Sequence, residues 1–250
     1  MKILFFTGTG NSLWVAKSLS DEILSISKLE HDKIYEIESD VVGIVCPIYA
    51  GNVPRLVSQY LSKVKIKASY VFAIFTSGYG MGIAAHTTQK KLELNDVRLD
   101  YVANLLMVDN FLPTFAVEDE LAKLPQKDVI GNLEKIKKDI SERKHTLPNT
   151  KLIERLMVNM IGLVMTSYDN DKKFIVSDEC IGCKLCEKVC PVKNITVENQ
   201  PEWHHNCANC FACIHNCPKG AIQLKNQRSN ARYRHPEVTI TEIIKSNSLI

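Results

Sequence analysis

Eight of the nine cysteines in this 250-residue chain fall in two short runs. Cys180, Cys183, Cys186 and Cys190 follow C-x2-C-x2-C-x3-C, with Pro191 next. Cys207, Cys210, Cys213 and Cys217 repeat the pattern, with Pro218. The copies stand 27 residues apart, and the period reaches past the thiols to Ile195 and Ile222. Thiols this dense serve as disulfides or as metal ligands, and a reducing compartment disfavours disulfides. Paired zinc sites more often show two C-x2-C knuckles with a longer separation. Three cysteines at intervals of three wrap one cube of iron and sulfide in a tight turn. A fourth, followed by proline, leaves that turn and ligates the cube of the other copy. The expectation is one [4Fe–4S] cluster on Cys180, Cys183, Cys186 and Cys217. A second sits on Cys207, Cys210, Cys213 and Cys190.

Residues 170–225 thus resemble bacterial two-cluster ferredoxins. His204, His205 and His215 lie among the ligands, but eight cysteines leave no vacancy, so they read as surface histidines. Lys184, Lys188, Lys193 and Lys219 are either ordinary solvated side chains or a docking rim for an acidic redox partner.

A second constellation opens the chain. TGTGNS, residues 7–12, follows an apolar run and precedes a helical pattern. It lacks the Lys of a P-loop, and Leu13 replaces the third Gly of G-x-G-x-x-G. Thr7, Gly8, Thr9, Gly10, Asn11 and Ser12 form either a plain strand–helix turn or a loop that wraps a phosphate with N–H groups and hydroxyls. This loop resembles that of the flavodoxins, which bind the phosphate of FMN there. The resemblance covers roughly residues 1–145 and implies two further cofactor loops. One holds Pro47, Tyr49, Ala50, Gly51 and Asn52; the other holds Thr76, Ser77, Gly78, Tyr79 and Gly80. Tyr49 and Tyr79 are then candidates to stack on the isoalloxazine, or else ordinary half-buried tyrosines. Asp109 and Asn110 follow the fourth strand, and Asn110 joins the candidate cofactor contacts. The third loop lacks the acidic residue that flavodoxins usually carry after the glycine. Cys46 reads as a small apolar filler rather than a thiol beside the flavin, and Trp14 as a core residue rather than a neighbour of the flavin edge.

These loops need strands to deliver them. Apolar runs at 2–6, 41–46, 70–75 and 97–108 alternate with helical patterns, which indicates a parallel sheet covered on both faces. A weak edge strand is expected at 34–37. Leu13, Ala16, Leu19 and Ile23 recur at helical spacing, as do Ile130, Leu133, Ile136 and Ile140. The fold class is α/β: a doubly wound parallel sheet followed by a small α+β domain. The expected divisions are 1–145, a helical linker 146–169, a cluster domain 170–225 and a tail 226–250. Residues 151–165 form an apolar helix too short for a bilayer and are expected to pack between the two domains.

Composition sets the remaining bounds. Apolar residues make up 45% of the chain, enough for one full domain and a small one. Residues 1–150 carry 18 basic and 18 acidic side chains, so the net charge of +3 lies wholly in the C-terminal part. That balance is too mild to suggest a nucleic-acid partner. No run of eighteen apolar residues suggests a transmembrane segment, and the N-terminus turns polar too early for a signal peptide. A cytoplasmic location follows as the expectation.

The whole resembles the flavodoxin–ferredoxin fusions of anaerobic bacteria and archaea. Such a chain is expected to pass single electrons between clusters and FMN, with a redox protein or a small-molecule acceptor as partner. The alternative is a ferredoxin-dependent reductase of quinone, nitro or azo compounds, with Tyr79 or Asn110 on the substrate side. No nicotinamide-binding domain fits in 146–179 or 226–250. The flavin is served either by clusters of its own chain or by those of a second copy in a homodimer.

Overall fold

The computed structural model of the chain describes residues 1–165 and 170–247. The end of the expected linker and the last three residues of the tail lie outside the described residues. The first part contains strands β1 (Lys2–Phe5), β2 (Ile23–Ser25), β3 (Glu36–Glu38), β4 (Val41–Pro47), β5 (Lys65–Lys67), β6 (Tyr70–Ser77) and β7 (Tyr101–Leu106). Between and after them run helices α1 (Asn11–Leu19), α2 (Ile26–His31), α3 (Arg55–Leu61), α4 (Ala84–Leu92), α5 (Val117–Ala122) and α6 (Val129–Ser141).

Five strands form one parallel sheet in the order β2-β1-β4-β6-β7. Every residue of β6 is buried, as a central strand covered on both faces requires. The order places the carboxyl ends of β1, β4, β6 and β7 on one rim, so their loops meet there. β3 and β5 pair separately as a small parallel ladder. The edge strand expected at 34–37 thus forms at Glu36–Glu38, off the main sheet.

Two strand expectations need correction. Ile23 does not continue the first helix, which ends at Leu19; it begins β2 beside Ile3. The apolar spacing was helical, but sheet pairing overrides it. The run at 97–108 is shorter as a strand, and its flanks Val97, Leu99, Met107 and Val108 are buried as loop.

Helix α7 (Leu152–Met165) forms where expected. Of its described side chains, Leu152, Ile153, Leu156, Met157 and Met160 are each more than half exposed, so this face is not packed between two domains. Val158 rests near Gly51.

The C-terminal part holds β8 (Phe174–Val176), α8 (Leu185–Lys188), β9 (Ile195–Val197), β10 (Pro201–Trp203), α9 (Ala212–His215), β11 (Ile222–Leu224) and α10 (Ile240–Asn247). β8 pairs with β11 and β9 with β10, both antiparallel. The 27-residue sequence period recurs in the backbone. Gly182 and Asn209, Lys184 and Phe211, and Lys193 and Gly220 all adopt left-handed φ between 50° and 62°. Each pair marks the same bend of the same unit, so the duplication is one of conformation as well as of cysteines.

Candidate functional site

The cysteines gather into two groups, and the groups are crossed. Cys180, Cys183, Cys186 and Cys217 line one small hollow, together with Lys184 and Lys219. Cys190, Cys207, Cys210 and Cys213 line the other. Each hollow takes three thiols from one run and the fourth from the other. Among the described residues, no three His, Cys, Asp or Glu side chains converge closely enough to grip a single ion. The thiols ring a space instead.

The two hollows differ in exposure. Cys183 is exposed, Cys180 and Cys217 are partly so, and Ile181 beside them is 62% exposed. The cysteines of the second group are all buried. Burial pushes the Cys207 thiol up to about 12 and holds the Cys213 thiol well above the usual thiol range. Backbone N–H groups aim at sulfur: Asn194 N reaches Cys190 Sγ at 3.2 Å, and Asn209 N reaches Cys207 Sγ at 3.3 Å. Such N–H groups stabilise thiolates and tune a cluster bound to them.

A larger cavity of about 340 Å3 lies at the carboxyl rim of the parallel sheet. The first loop contributes Thr7, Gly8, Thr9, Asn11 and Ser12 to its wall, and the second Pro47, Tyr49, Ala50 and Gly51. Thr76, Ser77, Gly78, Tyr79 and Gly80 come from the third, and Asn110 from the fourth. Gly10 and Asn52 are not in the wall. Gly10 takes φ +102° to start α1, where a Cβ would press on His235 and Val238. Asn52 pairs with Tyr49 through backbone, closing the turn of the second loop.

The first loop is held by short polar links. Gly10 N donates to Thr7 Oγ1 at 3.0 Å, and Ser12 Oγ meets Thr76 Oγ1 at 2.8 Å. Asn11 Nδ2 donates to Val108 O at 3.2 Å, and Asn110 Nδ2 donates to Thr9 Oγ1. Asn11 and Ser12 open α1, so their N–H groups lack intrahelical acceptors and face a position suited to an anion. A phosphate with an attached planar ring fits this set: orphan donors at a helix start, close-packed glycines, and a cavity walled by three further loops.

Tyr49 and Tyr79, expected either as stacking surfaces or as ordinary half-buried tyrosines, both line the cavity but have different settings. Tyr49 sits edge-on to Phe6, ring centres 6.4 Å apart. Burial, with Cys210, Cys46 and Cys207 nearby, raises its hydroxyl well above the usual phenol range. Tyr79 is 64% exposed and already stacked on Phe115 at 5.3 Å. Cys46 is fully buried and its thiol is pushed up by burial alone, as a filler should be. Trp14 is a core residue, stacked on His235 at 4.7 Å.

The cysteine region supplies part of the same cavity. Asn209, Cys210 and Phe211 line it. Cys210 therefore borders both its own hollow and the sheet-rim cavity. A Cβ on Gly8 would stand 2.6 Å from Cys210 O. His215 corrects the surface reading: it is 4% exposed. Its Nε2 meets Asn110 O at 2.8 Å and its Nδ1 accepts from Tyr233 N at 3.1 Å. His204 and His205 are exposed as expected.

Sequence reasoning also missed the tail. Tyr233 donates its hydroxyl to Asn11 Oδ1, and His235 N donates to Thr9 O at 2.9 Å. Asn247 Nδ2 donates to Thr7 O and to Val189 O, each at 3.1 Å, tying the first loop to the cysteine region. Its polar composition gave no signal for this.

Residues 173–196 match the 4Fe-4S binding domain family. The chain is 31% identical over 71 residues to NADH-quinone oxidoreductase subunit I 2 of Geobacter metallireducens, covering 24% of this chain and 54% of that one. It is 39% identical over 69 residues to a subunit of the ion-translocating oxidoreductase complex of Methanosarcina acetivorans, covering 26% of each. It is 31% identical over 62 residues to pyruvate synthase subunit PorD of Methanothermobacter marburgensis, covering 25% of this chain and 75% of that one. The chain thus spans about half or less of the length of the first two. Cysteine spacing, crossed grouping and these matches define an iron–sulfur protein. Through its C-terminal part the chain belongs to the 4Fe-4S ferredoxin family. No helix among the described residues is long and apolar enough to cross a membrane.

Proposed function

We propose that the chain carries two [4Fe–4S] clusters and one FMN and passes single electrons between them. Cys210, which borders both a cysteine hollow and the sheet-rim cavity, is the observation that carries this reading. The strand order β2-β1-β4-β6-β7 supports the FMN assignment, because it is the flavodoxin order once the small β3–β5 ladder is set aside.

Cys180, Cys183, Cys186 and Cys217 hold the outer cluster, and Cys190, Cys207, Cys210 and Cys213 the inner one. The first loop grips the phosphate through N–H groups at the start of α1, with Thr7, Thr9 and Ser12 placing hydroxyls around it. The second and third loops flank the ring. FMN, when bound, exchanges one or two electrons and so adapts one-electron traffic to two-electron chemistry. The outer group, with Cys183 exposed, faces a redox partner, while the buried inner group borders the cavity. The relatives are named as subunits of redox complexes, which suits a low-potential protein partner. The alternative, reduction of a small planar acceptor, draws support from the Tyr79–Phe115 stack left open at the cavity's edge.

Anaerobic purification with iron, sulfide and flavin counts tests the reading. About eight irons and one FMN per chain are expected; a colourless protein with two zinc ions refutes it.

A further inference from the structure

A charged cluster lies behind the third loop of the cavity, outside the residues that hold the phosphate or iron. Glu120 of α5 is fully buried. It accepts from Lys123 Nζ at 2.6 Å and from Lys127 Nζ at 3.2 Å. Burial acts to raise its pKa, but the two lysines outweigh burial and keep it ionised. Lys127 also donates to Gly78 O at 3.0 Å and to Met107 O at 2.6 Å. It thereby fixes the ends of β6 and β7, where the third and fourth loops begin. Its charge is taken up by Glu120 and two carbonyls.

Asp109 sits beside this cluster and lines the cavity. Its carboxyl packs on Gly78 so closely that a Cβ there would stand 2.3 Å from Oδ2. Phe111 N donates to Oδ1 at 3.0 Å. No lysine, arginine or histidine among the described residues forms an ion pair with it. Burial first, then the charge of Glu120, raise its proton affinity; the Phe111 N–H and Lys127 oppose them, and the net shift is upward. Lys123 and Tyr79 complete the ionisable groups facing this corner.

We propose that Asp109 is the proton-exchanging acid of the cavity, held there by Gly78 and by the Glu120–Lys127 pair. The inference rests on the FMN reading above. Two electrons reach the bound flavin one at a time from the clusters, supplied by a low-potential one-electron donor. Two protons leave the solvent to match them. Asp109 hands one on to the ring, and the second stays on its own carboxyl, which starts as a carboxylate. The charge within the cavity is then unchanged. Asn110 and the first loop hold the flavin and take no part in the transfer.

The test compares the full chain with Asp109→Asn, which preserves the acceptor for Phe111 N. FMN binding is read first, by quenching of flavin fluorescence, and should be retained in both. The reduced-minus-oxidised infrared spectrum should then show a carboxylic-acid band that labelled aspartate shifts and Asp109→Asn abolishes. The slope of flavin midpoint potential against pH should halve in the variant, since one proton fewer is taken up per pair of electrons. A band and slope unchanged in Asp109→Asn overturn the proposal and leave the FMN reading standing. Failure of both proteins to bind FMN removes both.

Discussion

Gly8 and Cys210 stand back to back, 202 residues apart in sequence: a Cβ on Gly8 would meet the Cys210 carbonyl oxygen at 2.6 Å. One residue turns into the first loop of the sheet-rim cavity, and the other borders the buried cysteine hollow. No side chain separates them. Replacing Gly8 with Ala forces backbone against backbone, because the obstructing atom is a carbonyl. The expected cost is about 1–3 kcal/mol of stability, with weakened FMN binding. Thermal unfolding and flavin fluorescence measure both; an unperturbed variant contradicts the contact.

The crossed grouping is tested by Cys217→Ser. About half the iron should be lost, and it should be the half held by Cys180, Cys183 and Cys186. The magnetic resonance signal of the inner cluster should persist. Cys190→Ser should do the converse. Damage confined to the sequence neighbours of the mutated cysteine contradicts the grouping.

Tyr233→Phe removes the hydroxyl that Asn11 Oδ1 accepts at 2.7 Å. Both residues are buried, so the amide oxygen is left without a partner, at a cost of about 1–3 kcal/mol. Denaturant midpoints measure it. FMN affinity should fall as well, because Asn11 opens the helix at the phosphate position. An affinity equal to that of the unchanged chain counts against the tail's grip on the loop.

His235 carries a pH dependence. Burial against Trp14 lowers its pKa to about 4, whereas the unfolded chain keeps the ordinary 6.5. The folded state binds fewer protons between those values, so stability is full above 6.5 and falls on acidification toward about 4. Replacing His235 with Gln should flatten this part of the profile. Urea midpoints at neutral and mildly acidic pH read the difference.

Much of this was legible in the sequence because it is local. The cysteine spacing points to the crossed grouping, since a turn of three-residue intervals leaves the fourth thiol facing away. The apolar runs mark β4 and β6, whose burial on both faces erases any alternation. What stayed hidden depends on distant packing. Ile23 looks helical until β1 pairs with it. His215 looks like a surface residue until Asn110 and Tyr233 close over it. Asp109 gains its setting from Gly78, Glu120 and Lys127, which no spacing brings together. The tail shows no sign in its composition that it will strap the first loop.

On the proposed function, clusters and flavin exchange electrons within one chain. Flash reduction of the anaerobic holoprotein, followed at flavin and cluster wavelengths over a wide range of protein concentration, tests it most directly. A cluster-to-flavin rate independent of concentration is expected. A rate that rises in proportion to concentration, as for an encounter between molecules, would contradict the account.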